Sequence, residues 1–274
     1  MSNGDCMVIA VIGAGVIGSA VAKALFQNVA ADKIVASDNR VEQLVELKNI
    51  GVETTTDNKI AAATADTVIL CVKPKDVKSV LAEIQNEIKD KLVLSIAVGV
   101  SLLLLRKAAP KARFVRVMPN LAILVREAFI GYCVGANVTS NDKDAIKKIL
   151  GTMGTFVEVE EDKMDAITAL SGCAPAILAT LMEAVVKGGI EAGLSIDLAL
   201  SASAQSMVGT GKLLLETEKS LAEITRMVAT PGGVTEEELK ELAKFPLQQA
   251  FISSLNAGIE KSKKITRNLA TEDQ

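Results

Sequence analysis

The sequence predicts an α/β fold, in which an N-terminal, Rossmann-like doubly wound parallel sheet is followed by an all-α C-terminal domain. Three observations predict it. Short apolar runs alternate with helical patterns in the first half, a glycine-rich turn follows the first run, and no strand pattern appears after about residue 161. Apolar strands separated by helices are typical of a parallel sheet that is covered on both faces. We therefore expect a sheet domain over residues 1–161 and a helical domain over residues 162–274.

The predicted strands of the first half are continuous apolar runs, at residues 7–12, 34–37, 67–72, 92–97 and 114–118. The helical patterns between them lie near residues 17–27, 41–49, 75–88 and 102–107. Right-handed crossovers between parallel strands then produce a doubly wound sheet. Two further runs, at residues 128–134 and 155–159, flank a helical pattern near residues 142–150 and extend the sheet.

The second half contains only helical patterns, near residues 164–170, 174–192, 196–217, 221–228, 236–245 and 247–268. Gly193 and Pro246 separate neighbouring helices. Several of these helices are rich in Ala, Gly and Ser and carry few charges, as at residues 199–211. A helix that is apolar nearly all round must be buried on every side. Because a domain of this size has little interior to offer, we expect two copies to bury each other as a helical homodimer.

The composition of the 274 residues excludes several classes of site. Histidine is absent, which removes Ser-His and Cys-His nucleophile schemes and His-ligated metal sites, so we predict no metal. The chain has no Trp, one Tyr and six Phe, too few aromatic side chains for a base-stacking surface. A pI near 5.3 also argues against binding to a phosphate backbone, so we predict no nucleic-acid partner.

The cysteine pattern favours a reducing compartment. The four cysteines lie far apart and form no C-x-x-C pair: Cys6, Cys71, Cys133 and Cys173. The N-terminus lacks the basic region of a secretory signal. The uncharged runs at residues 92–105 and 166–182 are shorter than a membrane span requires. We predict a cytoplasmic protein with no membrane partner.

A G-x-G-x-x-G motif follows the first predicted strand and opens a helix. Its members are Gly13, Ala14, Gly15, Val16, Ile17 and Gly18. In this context Gly13 permits the tight turn, Gly15 permits close approach of a ligand to the backbone, and Gly18 permits helix–strand packing. The free N–H groups at the start of the helix would bind a diphosphate. The motif therefore predicts a dinucleotide coenzyme.

The residues after the second strand leave the type of dinucleotide open. Asp38 follows Gly18 by 20 positions and would accept hydrogen bonds from the ribose 2′-hydroxyl of NAD. Asn39 and Arg40 would instead bind the 2′-phosphate of NADP. A carboxylate repels a phosphate, so the two interpretations conflict.

Further candidate coenzyme residues follow other strands, because ligands bind outside the carboxyl ends of strands in an open α/β sheet. They are Asn58, Val72, Lys73, Pro74 and Ala97. A helix N-cap is the structural alternative for Asn58, and a solvated surface side chain is the alternative for Lys73.

A second glycine-rich loop, at residues 229–235, joins two predicted helices. Gly232 and Gly233 permit a bare backbone turn into a helix N-terminus, where exposed N–H groups would bind a small anion such as a carboxylate. Thr235 and Glu238 have the spacing of a capping box, so we expect Thr235 to be the N-cap of that helix. Ser171-Gly172 and Pro175 interrupt the most apolar helical run and predict a kink there.

These motifs together resemble the pyrroline-5-carboxylate reductase family, the NAD(P)H-dependent imine reductases that complete proline synthesis. The similar stretches run nearly end to end, at residues 13–18, 58–59, 72–74, 95–100, 118–120, 158–161, 171–175 and 230–235. The most specific of them, Thr230-Pro231-Gly232-Gly233-Val234-Thr235, is similar to the family signature S-P-G-G-x-T.

The resemblance implies hydride transfer from NADPH, with NADH as the alternative, to the C=N carbon of a cyclic imino acid. It implies that Thr235 is catalytic, through a hydrogen bond to the imine nitrogen, and that Glu161 lies near the substrate. The other substrate-binding residues would be Val228, Thr230, Gly232, Gly233 and Val234. Val98 and Asn120 would join Ala97 in the coenzyme site. The C-terminal domain would bind substrate and form an interlocked homodimer, often assembled further into a decamer.

Several positions depart from the family pattern close to the predicted site. Cys173, Ala174 and Ile177 replace Ser, Gly and Tyr, Leu121 replaces Thr, Met227 replaces a common Asn, and Asp38 replaces a small polar residue. These changes leave three alternatives open: a reductase of a related cyclic imine, a hydroxyacid dehydrogenase using Lys187 or Lys212, and a dinucleotide-binding protein without turnover.

Overall fold

The protein is described here by a computed structural model, covering residues 7–28 and 31–271, so Cys6 lies outside the described residues. Eight strands form one sheet in the order β3-β2-β1-β4-β5-β6-β7-β8. The strands are β1 Val8–Ile12, β2 Lys33–Ser37, β3 Glu53–Thr55, β4 Thr67–Leu70, β5 Leu92–Ser95, β6 Arg113–Met118, β7 Ala128–Val134 and β8 Gly154–Glu158.

The strand order reverses between β1 and β4, and this reversal places a crevice at their carboxyl ends. All described neighbouring strands are parallel except β6 and β7, which are antiparallel. The doubly wound prediction is therefore confirmed. Strand β3 was not predicted, because its three residues, Glu-Thr-Thr, lie at the sheet edge and carry no apolar run.

Helices cover both faces of the sheet. They are α1 Val16–Gln27, α2 Val45–Asn49, α3 Asn58–Thr64, α4 Val77–Ile84, α5 Leu102–Ala108 and α6 Ser140–Gly151. Strand β1 sends Val11 into one apolar cluster and Ile12 into the other, as the two-residue period of a strand requires. The first cluster contains Leu25 of α1, and the second contains Leu81 of α4 and Leu105 of α5.

Helix α6 is attached to β6 through its own N-terminal cap. The Thr139 hydroxyl accepts a hydrogen bond from the Asp142 N–H (3.2 Å), and Asp142 Oδ2 accepts one from the Thr139 N–H (2.8 Å), which completes a capping box. Arg113 Nε and Nη2 donate to the two Asp142 carboxylate oxygens at 2.7 and 2.9 Å. Burial alone would raise the pKa of Asp142, but these hydrogen bonds outweigh it and lower the pKa.

The second half of the chain is helical. Helix α7, Met164–Ile167, continues into a π-helical turn at Thr168–Gly172, and then come α8 Ala174–Glu191, α9 Ile196–Glu216, α10 Leu221–Val228, α11 Val234–Leu242 and α12 Leu247–Thr271. The predicted kink at Ser171-Gly172 is this π turn. By length and composition, Glu161–Glu191 is long and apolar enough to cross a membrane, with a mean hydropathy of 1.7. Taken alone, one such helix is weak support for a membrane protein.

The contacts divide the chain into two compact units. The first contains the sheet, the chain as far as Pro175 and the residues from Asn256 onward, and the second contains Ala176–Leu255. Within the described residues, α8, α10 and α11 bury no side chain and α9 buries only Ala199. Large apolar side chains are correspondingly exposed, for example Leu215 of α9, whose exposed fraction is 85%.

Candidate coenzyme and substrate sites

The glycine turn after β1 has the shape that its sequence predicts. Gly13 has a φ of +94°, and a Cβ there would lie 2.7 Å from the Cys71 carbonyl oxygen. A Cβ on Gly18 would lie 1.8 Å from the Gly13 carbonyl oxygen, so α1 packs directly on the turn. Gly15 is the N-cap of α1, and a Cβ on Gly15 would meet no atom within 4 Å. The open space above these helix-starting N–H groups fits a diphosphate.

Asp38 and Arg40 form an ion pair next to this turn. Asp38 is buried, with 7% of its surface exposed, and its Oδ2 accepts a hydrogen bond from the Ala14 N–H at 2.9 Å. Its Oδ1 accepts from the Arg40 N–H at 3.0 Å and from Arg40 Nε at 3.1 Å. Burial alone would raise the pKa of Asp38, but the hydrogen bonds from Arg40 and Ala14 outweigh it and lower the pKa. The Arg40 side chain is 55% exposed, so the positive charge faces solvent while the carboxylate lies beneath it.

Asn58 lies close to the end of β2, but it is not a helix cap. The N-cap of α3 is Asp57, whose carboxylate accepts hydrogen bonds from two backbone N–H groups of the first turn. Asn58 Oδ1 accepts from the buried Ser37 hydroxyl at 2.8 Å, and its Nδ2 donates to Glu83 at 3.0 Å. The structural alternative for Asn58 is therefore wrong, and its role toward a coenzyme stays a prediction.

The other predicted coenzyme residues also follow strands at the carboxyl edge of the sheet. Val72, the exposed Lys73 and Pro74 follow β4, and Ala97 and Val98 follow β5. Asn120 follows β6, where its Oδ1 accepts from the Ala122 N–H at 3.0 Å and its Nδ2 donates to the Ser171 hydroxyl at 3.3 Å. Ile17 and the 69%-exposed Val16 lie in the first turn of α1. All the residues predicted for the coenzyme therefore lie at the carboxyl edge of the sheet.

The loop before α11 differs from the prediction in its cap. Gly233 is the N-cap, so Thr235 lies one residue inside the helix, and the expected capping box of Thr235 with Glu238 is wrong. The helix begins earlier because Gly232, at a φ of +74°, turns the chain and Glu236 supports the turn. Glu236 Oε2 accepts from the Gly232 N–H at 2.8 Å, one residue before the N-cap, so no side chain caps the helix in the manner of a capping box.

This loop presents a backbone surface for an anion. The Gly233 N–H donates to the Thr230 carbonyl at 2.9 Å, whereas the N–H groups of the first turn of α11 have no acceptor within the helix. Thr235 is half-buried, and Thr230 and Val234 are exposed. Val228, the last residue of α10, is 59% exposed. Apart from Glu161, the predicted substrate residues therefore lie together between the end of α10 and the first turn of α11.

Glu161 contacts the start of α5. Its Oε1 accepts from the Leu102 N–H at 2.7 Å and lies 3.4 Å from Arg116 Nη1. Arg116, in the middle of β6, is 3% exposed. Arg116 is not among the predicted site residues, although a charge inside the apolar run Phe-Val-Arg-Val-Met is a visible signal. The described residues contain no cluster of three or more Cys, Asp or Glu side chains suited to a metal ion.

Comparisons with known proteins agree with this geometry. Residues 161–265 match the family model described as pyrroline-5-carboxylate reductase dimerisation, and residues 8–99 match the model described as NADP oxidoreductase coenzyme F420-dependent. The chain is 38% identical to a pyrroline-5-carboxylate reductase of Methanosarcina acetivorans over 93% of this chain and 96% of that protein.

Solved structures give the same result. A pyrroline-5-carboxylate reductase from Coxiella burnetii superposes with a TM-score of 0.89 at 32% identity, over 96% of this chain and 99% of that one. A Plasmodium falciparum pyrroline carboxylate reductase with NADP bound superposes with a TM-score of 0.87 at 28% identity, over 97% of this chain and 99% of that one. Because the similarity to such relatives extends over nearly the whole chain, this protein belongs to the pyrroline-5-carboxylate reductase family.

Proposed function

We infer that this protein catalyses the NAD(P)H-dependent reduction of 1-pyrroline-5-carboxylate to L-proline. The observation that carries this inference is the similarity to reductases of that name over 93% of the chain, with both glycine loops in place. The bound reduced nicotinamide supplies the hydride for the C=N carbon. The protein therefore has to bind the coenzyme, orient the imine and control the proton at its nitrogen.

The coenzyme end of the site favours NADPH over NADH. The N–H groups at the start of α1, around Gly15, bind the diphosphate. Arg40 binds the 2′-phosphate, because its guanidinium is exposed and a hydrogen bond from its Nε to Asp38 Oδ1 fixes its position. Each oxygen of Asp38 already accepts two hydrogen bonds, all from Ala14 and Arg40, so the carboxylate has no remaining lone pair for the ribose 2′-hydroxyl of NADH. Asn39 lies between the two charged residues and belongs to the same site.

The substrate end is the N-terminus of α11. Its free N–H groups and the positive end of the helix dipole bind the substrate carboxylate beside Gly232 and Gly233. The Thr235 hydroxyl hydrogen-bonds the imine nitrogen and orients the C=N bond. Since the chain has no histidine, the pyrroline nitrogen enters protonated or receives its proton through a hydroxyl and water. Val228, Thr230 and Val234 line the approach.

The helical half supports a homodimer, with a decamer as the larger assembly to be tested. Helices α8–α11 leave many large apolar side chains exposed in one chain, and such exposure is typical of a protein–protein interface. The same interface would cover the apolar Glu161–Glu191 stretch without a membrane. The dimerisation model begins at residue 161, within one residue of the domain boundary that we propose between residues 161 and 162. We also propose a cytoplasmic location.

The direct test is a spectrophotometric assay of NADPH and NADH oxidation with five-membered and six-membered cyclic imino acids. We expect oxidation with pyrroline-5-carboxylate, formation of proline, and a higher kcat/KM with NADPH. Oxidation only with a six-membered ring would indicate a related imine reductase. Coenzyme reduction with hydroxy acids would indicate a hydroxyacid dehydrogenase. A shift of NADPH fluorescence without consumption would indicate a binding protein without turnover.

A further inference from the structure

The segment at residues 97–102, here called the coenzyme loop, connects β5 to α5 at the carboxyl edge of the sheet. Gly99 lies at its centre with a φ of +75°. A Cβ on Gly99 would lie 2.7 Å from Ile265 Cγ2 and 3.2 Å from the Thr266 backbone nitrogen. The coenzyme loop is therefore packed directly against helix α12, at a distance that only glycine permits.

A second contact holds the far end of the loop. The Leu102 N–H donates to Glu161 Oε1 at 2.7 Å, and Glu161 lies 3.4 Å from Arg116 Nη1. Arg116 Nη2 lies 3.9 Å from Asp165 Oδ1. Within the described part of the chain, the buried Nε and Nη2 of Arg116 have no hydrogen-bond partner. Because arginine stays charged in a protein interior, the two carboxylates offset a charge that has little access to water.

One hydrogen bond links the group formed by Glu161, Arg116 and Asp165 to α12. The Ser262 hydroxyl donates to Asp165 Oδ1 at 2.6 Å, and Ser262 is 3% exposed. Ser262 lies three residues before Ile265 on the same helix, so the two side chains share one helix face. Ser262 bonds Asp165 from this face, and Ile265 contacts Gly99 of the coenzyme loop. Further along α12, Leu269 packs against the apolar cluster that contains Val100.

We propose that the C-terminal part of α12, residues 256–271, positions the coenzyme loop for the nicotinamide end of the coenzyme. Gly99, Ile265 and Ser262 act as positioning residues, and Glu161 acts through the Leu102 N–H. This inference rests on the proposed function, in which Ala97 and Val98 line the coenzyme site. A displacement of about 1 Å in such a site costs as much as about 100-fold in rate, so small changes in the loop are measurable.

The test compares four variants by NADPH titration, by hydrogen–deuterium exchange without coenzyme, and by thermal melting. The variants are Gly99→Ala, Gly99→Ala with Ile265→Ala, Ser262→Ala and the control Gly51→Ala. Gly51 also has a positive φ, +97°, but it precedes β3 at the opposite edge of the sheet and faces the exposed Phe26. It therefore measures backbone strain without a change in the coenzyme loop.

We expect Gly99→Ala to raise the NADPH dissociation constant by about tenfold and to accelerate exchange at residues 97–102, since the loop must move away from Ile265. Adding Ile265→Ala removes the clashing Cγ2 and should restore part of the affinity. Ser262→Ala should weaken NADPH binding about threefold, and it carries the test if Gly99→Ala does not fold. Gly51→Ala should lower the melting temperature but leave NADPH affinity and loop exchange unchanged.

Two results would overturn the proposal. In the first, Gly99→Ala and Ser262→Ala would both bind NADPH with the affinity of Gly51→Ala. In the second, Gly99→Ala with Ile265→Ala would bind NADPH no more tightly than Gly99→Ala alone. Failure of the proposed function is a separate result. In that case the wild-type protein would not oxidise NADPH with pyrroline-5-carboxylate, whereas the binding and exchange measurements would still report on α12.

Discussion

At the scale of single residues, Asp38 and Arg40 form a hydrogen-bonded pair at the point where the sequence leaves the type of dinucleotide open. A carboxylate beside a 2′-phosphate is unfavourable in isolation, but in the structure its two oxygens accept hydrogen bonds from Arg40 and Ala14. The pair therefore presents the exposed guanidinium of Arg40 to solvent, with the buried carboxylate of Asp38 beneath it. The order of the three residues at 38–40 predicts a site for the coenzyme ribose, whereas the direction in which each side chain points depends on the fold.

We expect Arg40→Ala to reduce the preference for NADPH. Loss of a charge-assisted hydrogen bond to phosphate costs about 1.5–3 kcal/mol, or about 10–100-fold in kcat/KM for NADPH. NADH should lose little, because it has no 2′-phosphate, and the uncovered Asp38 becomes available to its ribose hydroxyl. Steady-state kinetics with both coenzymes measure the ratio. Lys33→Ala, at the other end of β2, is the control and should leave the ratio unchanged. An unchanged ratio in Arg40→Ala would exclude the assigned role.

Thr235→Ala tests the substrate end. Loss of one hydrogen bond costs about 1 kcal/mol, so kcat/KM for the imino acid should fall about fivefold while the NADPH dissociation constant stays the same. Thr235→Ser keeps the hydroxyl and should retain most of the activity. If Thr235→Ala reduced pyrroline-5-carboxylate as fast as the wild-type protein, Thr235 would have no part in orienting the imine.

At the scale of secondary-structure elements, patterns predicted the positions of helices and strands better than their ends. The seven apolar strand runs all appear in the sheet, whereas the short polar edge strand β3 does not stand out in the sequence. The spacing of Thr235 and Glu238 predicts a cap of α11 at Thr235, but the same loop offers a second glutamate at the same spacing from Gly233. Gly233, in an extended conformation, is the N-cap instead, and Glu236 accepts a hydrogen bond from the Gly232 N–H before it. Local spacing alone does not decide between such patterns, because the turn at Gly232 determines where the helix starts.

The cap of α6 gives a pH-dependent prediction. The pKa of Asp142 is lowered in the folded protein, so its contribution to stability is complete above its unfolded pKa of about 3.9 and is lost as the pH falls through the folded value. Asp142→Asn should therefore lower the free energy of unfolding by about 1–3 kcal/mol at pH 7. The difference from the wild-type protein should shrink below about pH 4.

Urea denaturation at pH 7, 5 and 3.5 measures this difference. Asp144→Asn is the matched control, since Asp144 lies on the same helix with an exposed side chain. A difference between Asp142→Asn and the wild-type protein that persists unchanged at pH 3.5 would contradict an electrostatic origin.

At the scale of the whole molecule, the sequence predicted the doubly wound sheet and the segregation of helices to the C-terminal half, but not the antiparallel pairing of β6 with β7. Alternating strands and helices leave few alternatives for the first half, because crossover handedness restricts the topology. The return of α12 to the sheet domain was not predicted. Ser262, Ile265 and Leu269 form an ordinary helical pattern, and nothing local in that pattern identifies residues 99 and 165 as their partners.

The exposed apolar surface of α8–α11 predicts a stable oligomer. Multi-angle light scattering should give a mass that is a multiple of 28.8 kDa, two or more, without detergent. Ile177, Leu181 and Val185 lie along one side of α8 and are all more than a third exposed. Leu181→Glu should shift the mass toward a monomer, because a buried unpaired charge is unfavourable at an apolar interface. Glu183→Lys, on the same helix, is the control. A monomeric wild-type protein would contradict the proposal.

The contact between Gly99 and Ile265 also has a consequence for biosynthesis on the ribosome. The two residues lie 166 positions apart, so the segment after β5 cannot reach its final arrangement until almost the entire polypeptide has been translated. Arg116 would meanwhile lack the hydrogen-bonded arrangement of Asp165 with Ser262. In a nascent N-terminal half, or in a chimera joined at residue 161, the charged side chain of Arg116 would therefore be buried without Asp165 and Ser262. Partly folded chains of this kind are prone to aggregation.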